Sequence, residues 1–176
     1  MNRQLKELAE THSQFNPDSL AIRAAESVLS CTSKKAIEIV RTHCNLISFW
    51  MGIYVQGYIT MQYEEFFKLL LEKEYVKENG FFVIAKDIIM KKLFNVDFNL
   101  IYYEDFEDII NPFRLNKDSV YQMKLDDPMH FIICDVDPQE LTLIYDTGRR
   151  GCGVPAVGAN RINNKYFKWL LEIKKR

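Results

Sequence analysis

Apolar residues in the first half of the chain recur at three- and four-residue intervals, whereas in the last third they alternate or gather in short blocks between turn-forming residues. The first pattern predicts helices and the second predicts strands. Residues 1–12 put Leu5, Leu8 and Ala9 on one side of a helix and charges on the other. Asn16-Pro17-Asp18 reads as a helix start, with a capping Asn, Pro at the first helical position and an acidic first turn. Leu20, Ala24 and Val28 then form the apolar face of a helix ending near Cys31. Thr32-Ser33 caps a third helix, with Ile37 and Val40 inward. Beyond it two readings stay open, because no Gly or Pro separates this helix from the apolar segment 45–55. The chain forms either one helix from about residue 34 to 54 or two helices broken at Thr42-His43.

A further helix begins at Thr60 or a neighbour and turns Phe66, Leu69 and Leu70 to the core. After Asn79-Gly80, the spacing of Ile84, Ile88 and Leu93 predicts a helix over 81–94. An edge strand over 99–103 and an acidic helix over 105–110, stopped by Asn111-Pro112, come next. Strands follow at 119–125, 130–136, 141–146 and 166–173. Asp126-Asp127-Pro128 leads into the second of these, and Asp137-Pro138-Gln139-Glu140 turns the second into the third. The glycine-rich segment 147–158 reads as an irregular loop. Helices first and antiparallel strands second give an α+β fold, with the hairpin 130–146 central in the sheet.

Composition narrows the function. A chain of 176 residues, 48% hydrophobic, is long enough for one well-buried core and too short for two ordinary domains. A net charge of −1 disfavours nucleic acid as a partner. The N-terminus is charged and amphipathic rather than a secretory signal, and no apolar run approaches the roughly 20 residues that cross a bilayer, so no membrane partner is expected and a soluble cytoplasmic protein is. The four cysteines, Cys31, Cys44, Cys134 and Cys152, lack CxxC spacing or a histidine pair, which argues against a zinc site, and no disulfides are expected. Glu104, Asp105, Glu107 and Asp108 lack the order of a calcium loop, and Gly148, Gly151, Gly153 and Gly158 do not form a phosphate loop, so neither metal nor cofactor is implied.

The candidate chemistry lies at the ends of the hairpin. His130 opens its first strand and Asp146 closes its second, and antiparallel pairing brings those ends together. A carboxylate that orients an imidazole is half of a nucleophilic triad, and Cys44 is the candidate nucleophile. A thiol with a free pKa near ~8.5 is a weak nucleophile at neutral pH, and a helix N-terminus together with an imidazolium makes it a stronger one by stabilising the thiolate.

The order Cys44, His130 opening a strand, and Asp146 sixteen residues later resembles the papain-like cysteine peptidase superfamily. Within it, the similarity is to the bacteriocin-leader-processing peptidases and to the cell-wall amidases of the CHAP and NlpC kind. Cys44-Asn45 followed by Leu46 and Phe49 is similar to the start of their nucleophile helix, and the segment 63–72 resembles the helix after it. The resemblance implies a papain-like domain over 41–176 behind a helical extension over 1–40. It implies cleavage of a peptide or amide bond by a Cys44–His130–Asp146 triad. The leader-processing branch carries Gly-Pro after its cysteine and a glutamine shortly before it; here Asn45-Leu46 follows and the nearest upstream glutamine is Gln14. Gln14 and Asn16 are therefore the side-chain candidates for oxyanion donor, with His43 a weaker one and the Cys44 backbone N–H as the second donor. Arg149 and Arg150 stand on the glycine-rich loop, available to an acidic group of the substrate. The other function class is a relative that keeps this fold as a catalytically inactive binding module.

Overall fold

The computed structural model describes residues 1–126, 128–158 and 162–176; Asp127, in the expected link into His130, lies outside them. The chain is α+β. Helices α1 (Arg3–Thr11), α2 (Leu20–Leu29), α3 (Ser33–Val40), α4 (Cys44–Val55), α5 (Tyr63–Glu72) and α6 (Lys86–Phe94) come first. They are followed by β1 (Tyr102–Tyr103), α7 (Glu107–Ile110), a 3₁₀ turn at Pro112–Arg114, β2 (Val120–Leu125), β3 (His130–Val136), β4 (Thr142–Tyr145), β5 (Cys152–Pro155) and β6 (Phe167–Ile173). The strands form one sheet in the order β1-β6-β2-β3-β4-β5, with antiparallel neighbours throughout. Both strands of the 130–146 hairpin are interior.

Local hydrogen bonds explain where the helices start. Thr32 Oγ1 accepts from the Lys35 backbone N–H at 3.3 Å and opens α3 as expected. The start of α2 differs from the expectation. Asn16 spends its Oδ1 on the Asp18 N–H at 3.0 Å, forming a turn, and Ser19 becomes the cap by accepting from Ile22 at 3.2 Å. Helix α6 is shorter than the 81–94 expected. Residues 75–83 instead make a narrow loop, bridged at Val76 and Phe82, with Gly80 at its tip. That glycine has φ +79°, and a Cβ there would come within 2.8 Å of His43 Cδ2, so loop 75–83 lies against the segment before Cys44. Strand β5, inside the segment read as an irregular loop, pairs with β4 through Tyr145 and Cys152 across a bulge.

The break between α3 and α4 falls at residues 41–43. Thr42 Oγ1 donates to Ile39 O at 2.7 Å and Asn79 O at 2.8 Å, and the Gln14 amide donates to the carbonyls of Val40 and Arg41, both at 2.9 Å. The last carbonyls of α3 are thus met by side chains as well as by the backbone N–H groups of Thr42 and His43, so the helix can end without Gly or Pro.

Helix α4 is apolar around its circumference, with Leu46, Ile47, Phe49, Trp50, Met51 and Ile53 all buried. It lies against the sheet at Gly52, where a Cβ would sit 2.3 Å from Ile173 Cδ1. The core around it also takes in Leu5, Ala9, Ile22, Ala36 and Val40, so the first forty residues, expected as an extension, share one hydrophobic core with the rest of the chain. On the opposite face of the sheet Tyr121, Met123, Ile132, Cys134 and Leu170 are covered by Ile109, Leu115, Ala156 and Ile162. With both faces covered, β2 to β4 are buried almost continuously. No helix among the described residues is long and apolar enough to cross a membrane.

Cys134 pairs with Tyr121 on one side and Ile144 on the other and is fully buried. Cys134→Ser should therefore place a hydroxyl in an apolar layer and cost about 1–3 kcal/mol, read as a lower urea midpoint. A midpoint equal to that of the wild type would show that this layer tolerates polarity.

Candidate active site

The break at 41–43 makes Cys44 the first residue of α4, 7% exposed, where the helix dipole is positive and backbone N–H groups have no partner within the helix. Register does the rest. With Ile133 opposite Tyr145, the start of β3 and the end of β4 lie at the same end of the hairpin, and His130 Nε2 stands 2.7 Å from Asp146 Oδ1. The Cys44 side chain lies close enough to the ring to raise its pKa together with Asp146. Since the carboxylate is the acceptor, Nε2 carries a proton toward Asp146 and Nδ1 is left for the sulfur. The three sequence-derived residues are thus brought together in the order Cys44, His130, Asp146.

Asp146 is held on every side. Its Oδ1 also accepts from the Gly148 N–H at 2.7 Å, and its Oδ2 accepts from the Arg150 N–H at 3.0 Å. Burial alone would raise its pKa, but the bonds from His130, Gly148 and Arg150 outweigh that and hold it below the usual carboxylate range. Burial likewise opposes charge on His130, yet the hydrogen bonds and charges of Asp146 and Cys44 prevail and hold the imidazole at about 9. Gly148 lets the turn close over the pair, since a Cβ there would meet Asp146 Oδ1 at 3.0 Å and His130 Nε2 at 3.2 Å.

The candidate oxyanion donors are differently placed. Gln14 is buried beside the site, but its amide N–H groups are spent on Val40 and Arg41 and its Oε1 accepts from Thr147 Oγ1 at 3.2 Å. It corrects the expected role: Gln14 ties the approach to Cys44 to the residue after Asp146, with no N–H left for an oxyanion. His43 is also committed. Its Nε2 donates to Glu78 O and its Nδ1 accepts from Tyr63 OH, both at 2.7 Å, and burial pushes its pKa down to about 4, so it is a neutral strut. Asn16 is exposed and lines, with Ser13, Asp146, Gly148 and Arg149, a cavity of about 360 Å³ at the Asp146 end of the site. Arg149 stacks its guanidinium over Phe15 at 4.5 Å from the ring centre, and Arg150 contributes its backbone to Asp146.

A second cavity, about 210 Å³, touches Cys44 itself and is lined by Thr42, Asn45, Phe81, Phe82, Met129 and Phe131. Beneath it runs a polar network that periodicity did not single out. The Lys86 ammonium donates to Asn45 Oδ1 at 2.9 Å and Gln122 Oε1 at 2.6 Å, with Phe49, Phe82, Phe131 and Trp169 around it at 5.1 to 5.9 Å. Gln122 Nε2 donates to Ser48 Oγ at 2.6 Å, and Ser48 donates to the Cys44 carbonyl at 2.6 Å. Burial draws Lys86 down to about 7. The only trace of this in the sequence is polarity out of place, a lysine following Phe-Phe-Val-Ile-Ala and a glutamine inside a buried strand. Among the described residues no cluster of three or more His, Cys, Asp or Glu could hold a metal ion.

The pair sets two pH limits. His130 sits above its ordinary 6.5, so its contribution to stability is complete below about 6.5 and is lost as pH rises through about 9. Asp146 sits below its ordinary 3.8, so its contribution is present above 3.8 and is lost as pH falls. Asp146→Asn should lower the His130 titration, followed by imidazole NMR, by at least about one pH unit and flatten the loss of stability between pH 6.5 and 9. An unchanged titration would show that Asp146 does not hold the ring.

Comparison with protein-family models, with curated proteins and with solved structures finds no match to this chain.

Proposed function

We propose that the chain is a cytoplasmic cysteine hydrolase of papain-like type that cleaves a peptide or amide bond through Cys44, His130 and Asp146. The observation that carries this reading is the imidazole of His130, bonded at 2.7 Å to a buried carboxylate and close enough to a cysteine at a helix N-terminus for that cysteine to raise its pKa. A structural ion pair needs no thiol on its free side, whereas a nucleophilic triad does.

The chemistry follows from the arrangement. Proton transfer from Cys44 to His130 gives a thiolate beside an imidazolium that Asp146 stabilises. Sulfur attacks the carbonyl carbon, a C–S bond forms and the carbonyl π pair moves to oxygen. Collapse restores the carbonyl and breaks the C–N bond, with His130 giving its proton to the leaving amine. Water, deprotonated by the same imidazole, then releases the acid from the thioester and regenerates the thiol.

The cavity at Cys44 indicates which group lies next to the scissile carbonyl. At about 30 Å³ per water, its 210 Å³ corresponds to about seven waters, room for a branched aliphatic or single-ring side chain. Phe81, Phe82, Met129 and Phe131 favour an apolar one. Arg149, at the other end of the site, is available to an acidic group of the same substrate.

The test uses an activated ester with an apolar acyl group, p-nitrophenyl hexanoate, and iodoacetamide as a thiol probe. Wild-type protein should give a stoichiometric burst of nitrophenolate, absent in Cys44→Ala with little change in melting temperature. It should alkylate at Cys44 at pH 7 faster than a free thiol, and His130→Ala should slow acylation about a hundredfold or more. Alkylation no faster than a free thiol and indifferent to His130→Ala would instead make the chain a non-catalytic module of the same fold.

A further inference from the structure

With the Gln14 and His43 side chains committed elsewhere, the site needs another side-chain donor for the developing oxyanion, and Asn45 meets the requirements. It follows Cys44 in the first turn of α4 and lines the same cavity. Its amide is oriented from behind. Asn45 Oδ1 accepts from Lys86 Nζ at 2.9 Å, and the same oxygen lies 3.1 Å from Gln122 Nε2, which as an amide nitrogen can only donate. The Asn45 carbonyl is fixed as well, accepting from Gln122 Nε2 at 2.9 Å. Nδ2 has no protein acceptor among the described residues. With both donors on Oδ1, the N–H pair is left without a protein acceptor on a residue that lines the cavity at Cys44.

We propose that Asn45 Nδ2 donates to the oxyanion formed on attack by Cys44, together with the Cys44 backbone N–H, and that Lys86 and Gln122 are positioning residues for that amide. This rests on the cysteine-hydrolase reading and adds a catalytic residue to it. The negative charge develops on oxygen as the C–S bond forms, so the donor acts on the acylation barrier and not on the thiolate. Lys86 and Gln122 together keep the amide from flipping, because the flipped amide would set Nδ2 against the donor-only Gln122 amide nitrogen and give up the Lys86 bond to Oδ1.

Two rates separate the roles. Alkylation by iodoacetamide displaces iodide at a saturated carbon and forms no oxyanion, whereas acylation by p-nitrophenyl hexanoate does. Asn45→Ala should slow acylation about 10²- to 10³-fold, the usual loss for one such donor, and leave Cys44 alkylation within about twofold of wild type. Lys86→Met, which keeps Asn45 but frees its amide, should lose part of the acylation rate, and Lys86→Arg should recover most of that loss. The proposal is overturned if Asn45→Ala acylates at the wild-type rate while Cys44→Ala gives no burst, or if alkylation falls in the same proportion as acylation. Should Asn45→Ala fail to fold, the lysine pair decides: wild-type acylation in Lys86→Met overturns the proposal, and a loss recovered by Arg supports it. A wild-type protein with neither burst nor enhanced alkylation removes the hydrolase reading and this inference with it.

Discussion

The side chain of Gln14 holds two distant parts of the chain in register. Its amide N–H groups take the carbonyls of Val40 and Arg41, its oxygen takes the Thr147 hydroxyl, and its backbone N–H donates to Thr147 O at 2.8 Å. The first two bonds end α3 and let α4 begin on Cys44; the last two hold the turn that carries Asp146. Gln14 is buried, and it adds a second donor to Val40 O, which also accepts from the His43 N–H at 2.9 Å, and a donor to Arg41 O, so the break and the turn are stabilised together. A buried amide between two arms of a site fixes their separation better than an apolar contact, because hydrogen bonds are directional.

Around that frame, competing electrostatic effects can be ranked by outcome. Burial disfavours the charged form of His130, yet the imidazole ends at about 9 instead of 6.5, a net preference for the imidazolium on the order of 3 kcal/mol. His43, equally a ring in a buried place, meets a carbonyl and a phenol rather than a carboxylate, and burial wins, bringing it to about 4. The two histidines differ because only one faces a carboxylate anion. Lys86 stands between these cases, lowered to about 7 by burial while two amide oxygens and four aromatic faces accommodate its charge.

The apolar shell explains why such polar groups can be retained. Helix α4 is buried around its whole circumference, so its first turn is the part left to meet the site, and Gly52 brings its body against β3 and β6. The backbone positions of Cys44 and Asn45 are thereby set by packing. The rigidity that a site needs within about half an ångström comes from the core behind it.

Much of this was legible along the chain. Periodicity fixed the α+β order, the hairpin 130–146 and the helices around 1–12 and 20–31, because apolar spacing reports which face of an element meets a core, whatever that core is. Residue type at the hairpin ends singled out His130 and Asp146, since pairing of adjacent strands is local and its register follows from a four-residue turn. Other features depend on partners far away in sequence and leave no local pattern. The choice between one helix and two across residues 41–43 was made by Gln14 and Asn79. The loop at 75–83 was set by the fit of Gly80 against His43, and β5 formed because the end of β4 offered it an edge. Gln14 itself shows the division: the sequence marked it as the nearest glutamine upstream of Cys44, and only the tertiary structure decided that its N–H groups would face the chain's own carbonyls.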